Sequence, residues 1–203
     1  MNTKNQIKIF LFTVIILLIV GGVSLFFYQT NRYSDVFFEY SGFAVHKVSD
    51  GRIEEYEITL YVGDNKQPYT IKSRYNPQEL EDIKIYEGIQ KDILKEKLYV
   101  TMDPKLSSGA VIAFAEINKY LENPYLFNLP TLPALTSNVE NNDLPIITCE
   151  NVNQTTSVVL FKIGDKTEIY GEDGCIILEA SLEDDLIKLA DRLSLTTLGI
   201  MEP

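Results

Sequence analysis

Tryptophan is absent from this chain of 203 residues, histidine occurs once and cysteine twice. With His46 as the only imidazole, the usual general base for a Ser, Thr or Cys nucleophile has a single source. That source has no motif around it and reads as a strand residue. A zinc site is disfavoured because Cys149 and Cys175 lie far along the chain from His46. G-x-S-x-G, P-loop, dinucleotide glycine and HExxH patterns are also missing. Each absence removes a class of enzyme, and no cofactor is expected. Positive charge is scarce too, with 18 Lys and Arg against 29 Asp and Glu and a net charge of −11. Such a body repels phosphate backbones and anionic headgroups, which excludes nucleic acid as a partner.

Against these absences stands one long apolar run, Ile9 to Tyr28, with no charged residue. Twenty helical residues extend roughly 30 Å, the thickness of a bilayer core. The run therefore predicts a transmembrane helix over 9–28 in contact with membrane lipid, after a short tail, 1–8. Gly22 and Ser24 have the small-x-small spacing of a signal-peptide cleavage site, which would remove residues 1–24. Leu25, Phe26, Phe27 and Tyr28 carry the run past that point, so retention is expected. Lys4 and Lys8 precede the span, whereas Arg32 follows it near Asp35 and Glu39, which predicts a cytoplasmic N-terminus and an extracytoplasmic remainder at the cell membrane. Every acidic residue falls in that remainder.

The region 29–96 is β-rich. Val36 to Tyr40, Phe43 to Val48, Ile53 to Val62 and Tyr69 to Tyr75 alternate apolar and polar residues, separated by Ser41-Gly42, Ser49-Asp50-Gly51 and Gly63-Asp64-Asn65. An antiparallel meander is predicted, with Ile53, Tyr56, Ile58, Leu60 and Val62 on one face. Its tyrosines suit a half-buried sheet; a stacking platform for sugars is the alternative use. Gln78 to Ile83 and Ile89 to Lys97 read as short helical joints.

The region 97–203 reads as a layered α/β part. Leu98 to Met102 is a buried strand ended by Asp103-Pro104. Asp103 is a good N-cap for a helix beginning at Pro104, with Ser107 or Ser108 as later starts. That helix, to Leu121, is apolar almost all round, with Glu116, Asn118 and Lys119 turned to water, and Asn123-Pro124 stops it. Tyr125 to Asp143, with two prolines and no periodicity, reads as a long loop. Pro145 to Cys149, Ser157 to Ile163, Glu168 to Tyr170 and Cys175 to Glu179 read as strands. A last helix has Ser181 as N-cap, Leu182, Leu186, Leu189, Leu193 and Leu198 on one face, and Gly199 as its end. The fold class expected is α/β or α+β, a meander followed by a mixed sheet covered by two main helices.

Three sites follow from these placements. Cys149 and Cys175 form a disulfide if their segments are neighbours, or else remain two buried thiols. Asn153-Gln-Thr155 is a glycosylation acceptor pattern. Asp103, at the end of a buried strand, is the candidate for carboxylate chemistry or metal binding if Asp143, Asp173, Asp184 or Glu150 lies beside it; helix capping is its competing role.

The segments Tyr99-Val-Thr-Met-Asp-Pro104, Gly174-Cys-Ile-Ile-Leu-Glu-Ala180 and Asp184-Asp-Leu-Ile-Lys-Leu-Ala-Asp-Arg-Leu193, continuing to Leu198-Gly-Ile-Met201, resemble parts of uncharacterised archaeal proteins with one N-terminal membrane helix and an extracytoplasmic domain. The resemblance covers about the last half of the chain. It implies a cell-surface location and supplies no catalytic residue. The expected function is therefore a non-enzymatic surface or assembly component that engages another envelope protein through its sheet or the 125–143 loop. A membrane-tethered hydrolase using Asp103 and a second carboxylate, and a small-solute or glycan binding module, are the alternatives.

Overall fold

A computed structural model describes residues 14–23, 36–49, 51 and 53–203. Residues 14–23 are the described part of helix α1, and all of them are exposed. Among the described residues no helix is long and apolar enough to cross a membrane. The tail 1–8 and residues 9–13 and 24–28 of the expected span lie outside the described residues.

The meander forms as its alternation dictates. Strands β1 (Val36–Tyr40), β2 (Phe43–Ser49), β3 (Glu54–Val62) and β4 (Gln67–Ser73) pair antiparallel in that order. Ser41 and Gly42 both have positive φ, as do Asp173 and Gly174, and each pair makes a two-residue hairpin whose twist matches its strands. The register places Phe38, Val45, Ile58 and Ile71 in one row on the inner face. Phe37, His46, Glu57 and Lys72 form the adjacent row outside. Ile53, expected inside, precedes β3 and is exposed.

After a 3₁₀ turn (Pro77–Leu80) and the short helix α2 (Ile89–Ile93), the chain builds a mixed sheet of order β6-β5-β7-β9-β8. Strands β5 (Lys97–Met102), β6 (Thr131–Leu135), β7 (Thr156–Ile163) and β9 (Cys175–Ala180) are parallel, and β8 (Glu168–Glu172) runs antiparallel to β9. Helices α3 (Ser108–Leu121) and α4 (Asp185–Thr197) pack together. One apolar cluster joins Ile58 and Ile71 of the meander, Ile117 and Leu193 of these helices, and Val100 and Leu178 of the mixed sheet. The architecture is α+β, and the meander is neither an extension of the mixed sheet nor a lobe with its own core.

Several elements differ from the sequence expectation for identifiable reasons. The 125–143 stretch contains β6, masked by Pro130 and Pro133. The N–H of Leu135 donates away from β5 to the Pro145 carbonyl, so Pro133, two residues earlier, turns its missing donor to the same open edge. Pro145 to Cys149 is no strand: Ile146 makes one parallel bridge to Leu135, and a 3₁₀ turn (Cys149–Asn151) follows, closed by reciprocal Thr148 and Asn151 bonds. Helix α3 begins at Ser108, four residues after Pro104, and Val111 and Ala115 are exposed, so it is not covered all round. Glu116, expected in water, is buried. Helix α4 begins at Asp185 with Asp184 at its N-cap; Ser181 caps nothing and Leu182 is exposed.

The second face of the mixed sheet is covered by the 145–155 strap, which Thr101 holds by donating its hydroxyl to the Ile147 carbonyl at 2.7 Å. Cys149 and Cys175 are disulfide-bonded, with Cα atoms 5.2 Å apart. Beneath the bond lies a small separate apolar cluster of Val158 and Ile177 with Ile147 and Val152.

Candidate functional site at the carboxyl edge of the mixed sheet

Strand β5 leads through α3 to β6 on one side, whereas β7 leads to β9 on the other. In open α/β sheets the crevice at such a reversal, outside the carboxyl ends of the strands, is where ligands bind. Two grooves occupy that edge here. One, of about 390 Å³, has Met102, Leu106, Val111, Phe114, Leu135 and Leu144 in its lining. The other, of about 370 Å³, runs between the ends of β5 and β7 beside Lys105, Thr136 and Lys162. Asp103 lines both.

Asp103 accepts the Lys105 amide at 2.8 Å in a tight turn and does not cap α3. It is the only carboxylate lining either groove. Of the other acids named from the sequence, Asp173 sits in the β8–β9 turn and Glu150 in the disulfide-linked strap, both at the amino end of β9. Asp143 and Asp184 are exposed and line neither groove. Asp173 and Glu150 thus lie at the edge opposite Asp103, whereas Asp143 stands between Asn142 and Leu144 of the groove lining. Among the described residues no group of three His, Cys, Asp or Glu side chains is placed to hold a metal ion. His46 lies on the other sheet, its ring centroid 4.9 Å from that of Phe37.

The start of α3, where a βα turn offers amides to an anion, is filled by the chain itself. Glu183 Oε1 accepts the Ser107 amide and hydroxyl, both at 2.8 Å, and the Ala110 amide at 3.4 Å. Partial burial alone would raise the Glu183 carboxyl, but these donors together hold it below the usual range. A Cβ on Gly109 would stand 3.1 Å from Glu183 Cγ, which is why glycine suits that position. Lys162 is likewise satisfied, by Glu179 at 2.8 Å and the Tyr170 hydroxyl at 3.2 Å. Polar groups at this edge are turned on one another, and apolar side chains are left for an incoming surface.

A second cluster, missed from sequence, lies between α3, α4 and the end of β4. Asp191 is fully buried, and its Oδ2 accepts the Ser73 hydroxyl at 2.9 Å and the amides of Arg74 and Tyr75 at 2.8 and 3.0 Å. Its Oδ1 has no partner. Burial, and after it the nearby Glu116 carboxylate, push Asp191 up to about 6. Glu116 itself accepts Arg74 Nε at 2.6 Å and the Lys119 ammonium. Tyr120 donates its hydroxyl to the Lys72 carbonyl, and burial foremost raises that hydroxyl. A perturbed carboxylate in a cleft would be a catalytic candidate. Asp191 lines no groove at the sheet edge, and its bonds fasten the meander to the helices. The one sequence signal is an acid directly after the Leu189-Ala190 pair of the apolar stripe of α4.

Asn153 is exposed, its Oδ1 accepting the Thr155 amide at 2.9 Å and hydroxyl at 3.1 Å. It precedes β7 and so lies at the amino edge of the parallel strands, opposite the grooves. No known protein family, curated protein or solved structure matches this chain.

Proposed function

We propose that this chain is a single-pass membrane protein whose segment 9–28 tethers an acidic extracytoplasmic domain, and that the domain is a non-enzymatic assembly component contacting another envelope protein. The observation that carries this reading is the apolar surface at the carboxyl edge. Val111, 59% exposed, and Leu144, 38%, line a groove that is otherwise mostly apolar, and Ile146, 51% exposed, is bridged to Leu135 of the same lining. Exposed apolar clusters of this kind mark contact surfaces. The surrounding charges define the partner: Asp103 lines the groove, and Glu140 and Asp143 flank it in an exposed loop. A complementary partner presents an apolar side chain with basic residues beside it.

Strand addition is a poor mode of contact here. Along the outer edge of β6, Pro133 has no N–H, and both outward groups of Leu135 are bonded to Pro145 and Ile147. The contact is therefore made by side chains entering the groove. The disulfide supports an oxidising compartment, and Lys4 and Lys8 support the orientation.

Photo-crosslinking residues placed at Val111 and Ile146 in intact cells test this reading. A discrete adduct with one membrane or envelope protein is expected, and it should disappear when Leu135→Asp is introduced into the groove. Adduct-free protein at both positions would overturn the proposal.

A further inference from the structure

At the other end of the molecule, the hairpin ends of the meander form a groove of different character. Among the described residues the large aromatic side chains left exposed are Phe37, Tyr61 and Tyr125. Tyr61 and Tyr125, 70% and 71% exposed, line the same groove of about 390 Å³, with Phe43, Leu60 and Phe127 also in its lining. No charged residue lines it, in a chain of net charge −11. The exposed ring of Tyr125 is nevertheless held in place. Its amide donates to Asn123 Oδ1 at 2.9 Å, Asn123 Nδ2 donates to the Tyr69 hydroxyl at 2.6 Å, and the Tyr69 and Tyr125 ring centroids lie 5.9 Å apart. The loop beneath is closed by the amides of Leu126 and Asn128, at 3.0 and 2.9 Å from the Asn123 carbonyl. The loop that carries Tyr125 is thus ordered on folding, which lowers the cost of binding there.

These features select a ligand. An uncharged lining on an acidic body favours a neutral molecule over an anion or a cation. Exposed tyrosines offer apolar ring surface together with hydroxyls, so the complement has apolar C–H faces and a hydroxyl periphery. The volume lies near the lower end of the range for ligand pockets, roughly 300–1,000 Å³. One or two sugar rings fit that scale. The groove lies beside the Tyr40–Phe43 hairpin, at the opposite end of β1 from Val36, roughly 13 Å away at strand rise. We propose that this groove, bounded by Tyr61 and Tyr125, is a binding site for a neutral saccharide. It is separate from the surface assigned to assembly and does not rest on that reading.

Titration of the full chain in detergent with maltohexaose, cellohexaose, mannohexaose and chitohexaose, followed by calorimetry, tests the site. Saturable binding of at least one is expected, weakened roughly tenfold or more by Tyr61→Ala and by Tyr125→Ala. Tyr125→Phe, which keeps the ring, should retain most of the affinity, and Phe37→Ala, an exposed aromatic outside the groove, should leave it unchanged. Circular dichroism of each variant separates lost binding from lost folding. Absence of binding to all four sugars would overturn the proposal, as would binding that survives both alanine variants or a proline-rich decapeptide binding there instead. None of these results bears on the adducts expected from Val111 and Ile146, so the two readings fail independently.

Discussion

The hydroxyl of Ser73 donates to the carboxylate of Asp191 at 2.9 Å across 118 positions of sequence. With the Arg74 and Tyr75 amides on the same oxygen, this bond fixes the corner after β4 against α4. The two sheets of the fold meet through the helices, and Asp191 is the polar fastening of that layer.

That fastening makes stability depend on pH in an unusual direction. An unfolded aspartate titrates near about 3.9, whereas Asp191 is pushed up to about 6 by burial first and Glu116 second. A raised carboxyl binds its proton more tightly folded than unfolded, so its stabilising contribution is complete below about pH 4 and is lost as pH rises through about 6. Urea denaturation at pH 4 to 7 should therefore show Asp191→Asn reducing the loss of stability on alkalinisation, by on the order of 2–3 kcal/mol. Glu116→Gln should move the same window downward in pH, because it removes the neighbouring negative charge. Identical pH slopes for wild type and Asp191→Asn would refute this account.

Glu183 should behave as the cap of a helix to which it does not belong. Glu183→Ala leaves the Ser107 and Ala110 amides without their carboxylate and is expected to cost about 1 kcal/mol, within the range for lost caps. Its folded carboxyl is held low, so the contribution is present above the unfolded pKa and declines as pH falls through the folded value. Thermal melts at neutral and acid pH should show the difference from wild type shrinking in acid, opposite in sign to Asp191.

Reduction of the Cys149–Cys175 bond opens a loop between cysteines 26 positions apart. Loop-closure entropy assigns such a link roughly 3 kcal/mol. Cys149→Ser with Cys175→Ser should lower the melting temperature accordingly, and reductant should lower that of the wild type but not of the double variant. Because the bond lies on the sheet face away from the helices, the adducts expected at Val111 should persist below the new transition.

Much of the local structure was legible because its causes are local. Alternation set β1 to β4, the Ser41-Gly42 and Asp173-Gly174 pairs set two hairpins, and the Leu186, Leu189 and Leu193 spacing set α4. The candidate site was less legible. Asp103 was correctly placed at the end of β5, but its supposed partners are spread over both edges of the sheet. Strand β6 escaped notice because proline disfavours strands in general, and only the sheet edge shows which way its missing N–H points. Glu116 reads as a solvent residue because a charge beside an apolar stripe normally faces water. The meander covers that face of α3, and Arg74 and Lys119 meet the charge there.

Sequence by itself determined composition and periodicity: an apolar N-terminal run, an acidic body, a four-stranded meander, and the absence of phosphate-loop and HExxH patterns. Tertiary structure alone decided which charges are buried and which distant residues line one groove. Asp191 and Glu183 owe their roles to neighbours far away in the chain, and no local spacing encodes them. Burial and convergence depend on how layers stack, which is set by the summed packing of all the elements together.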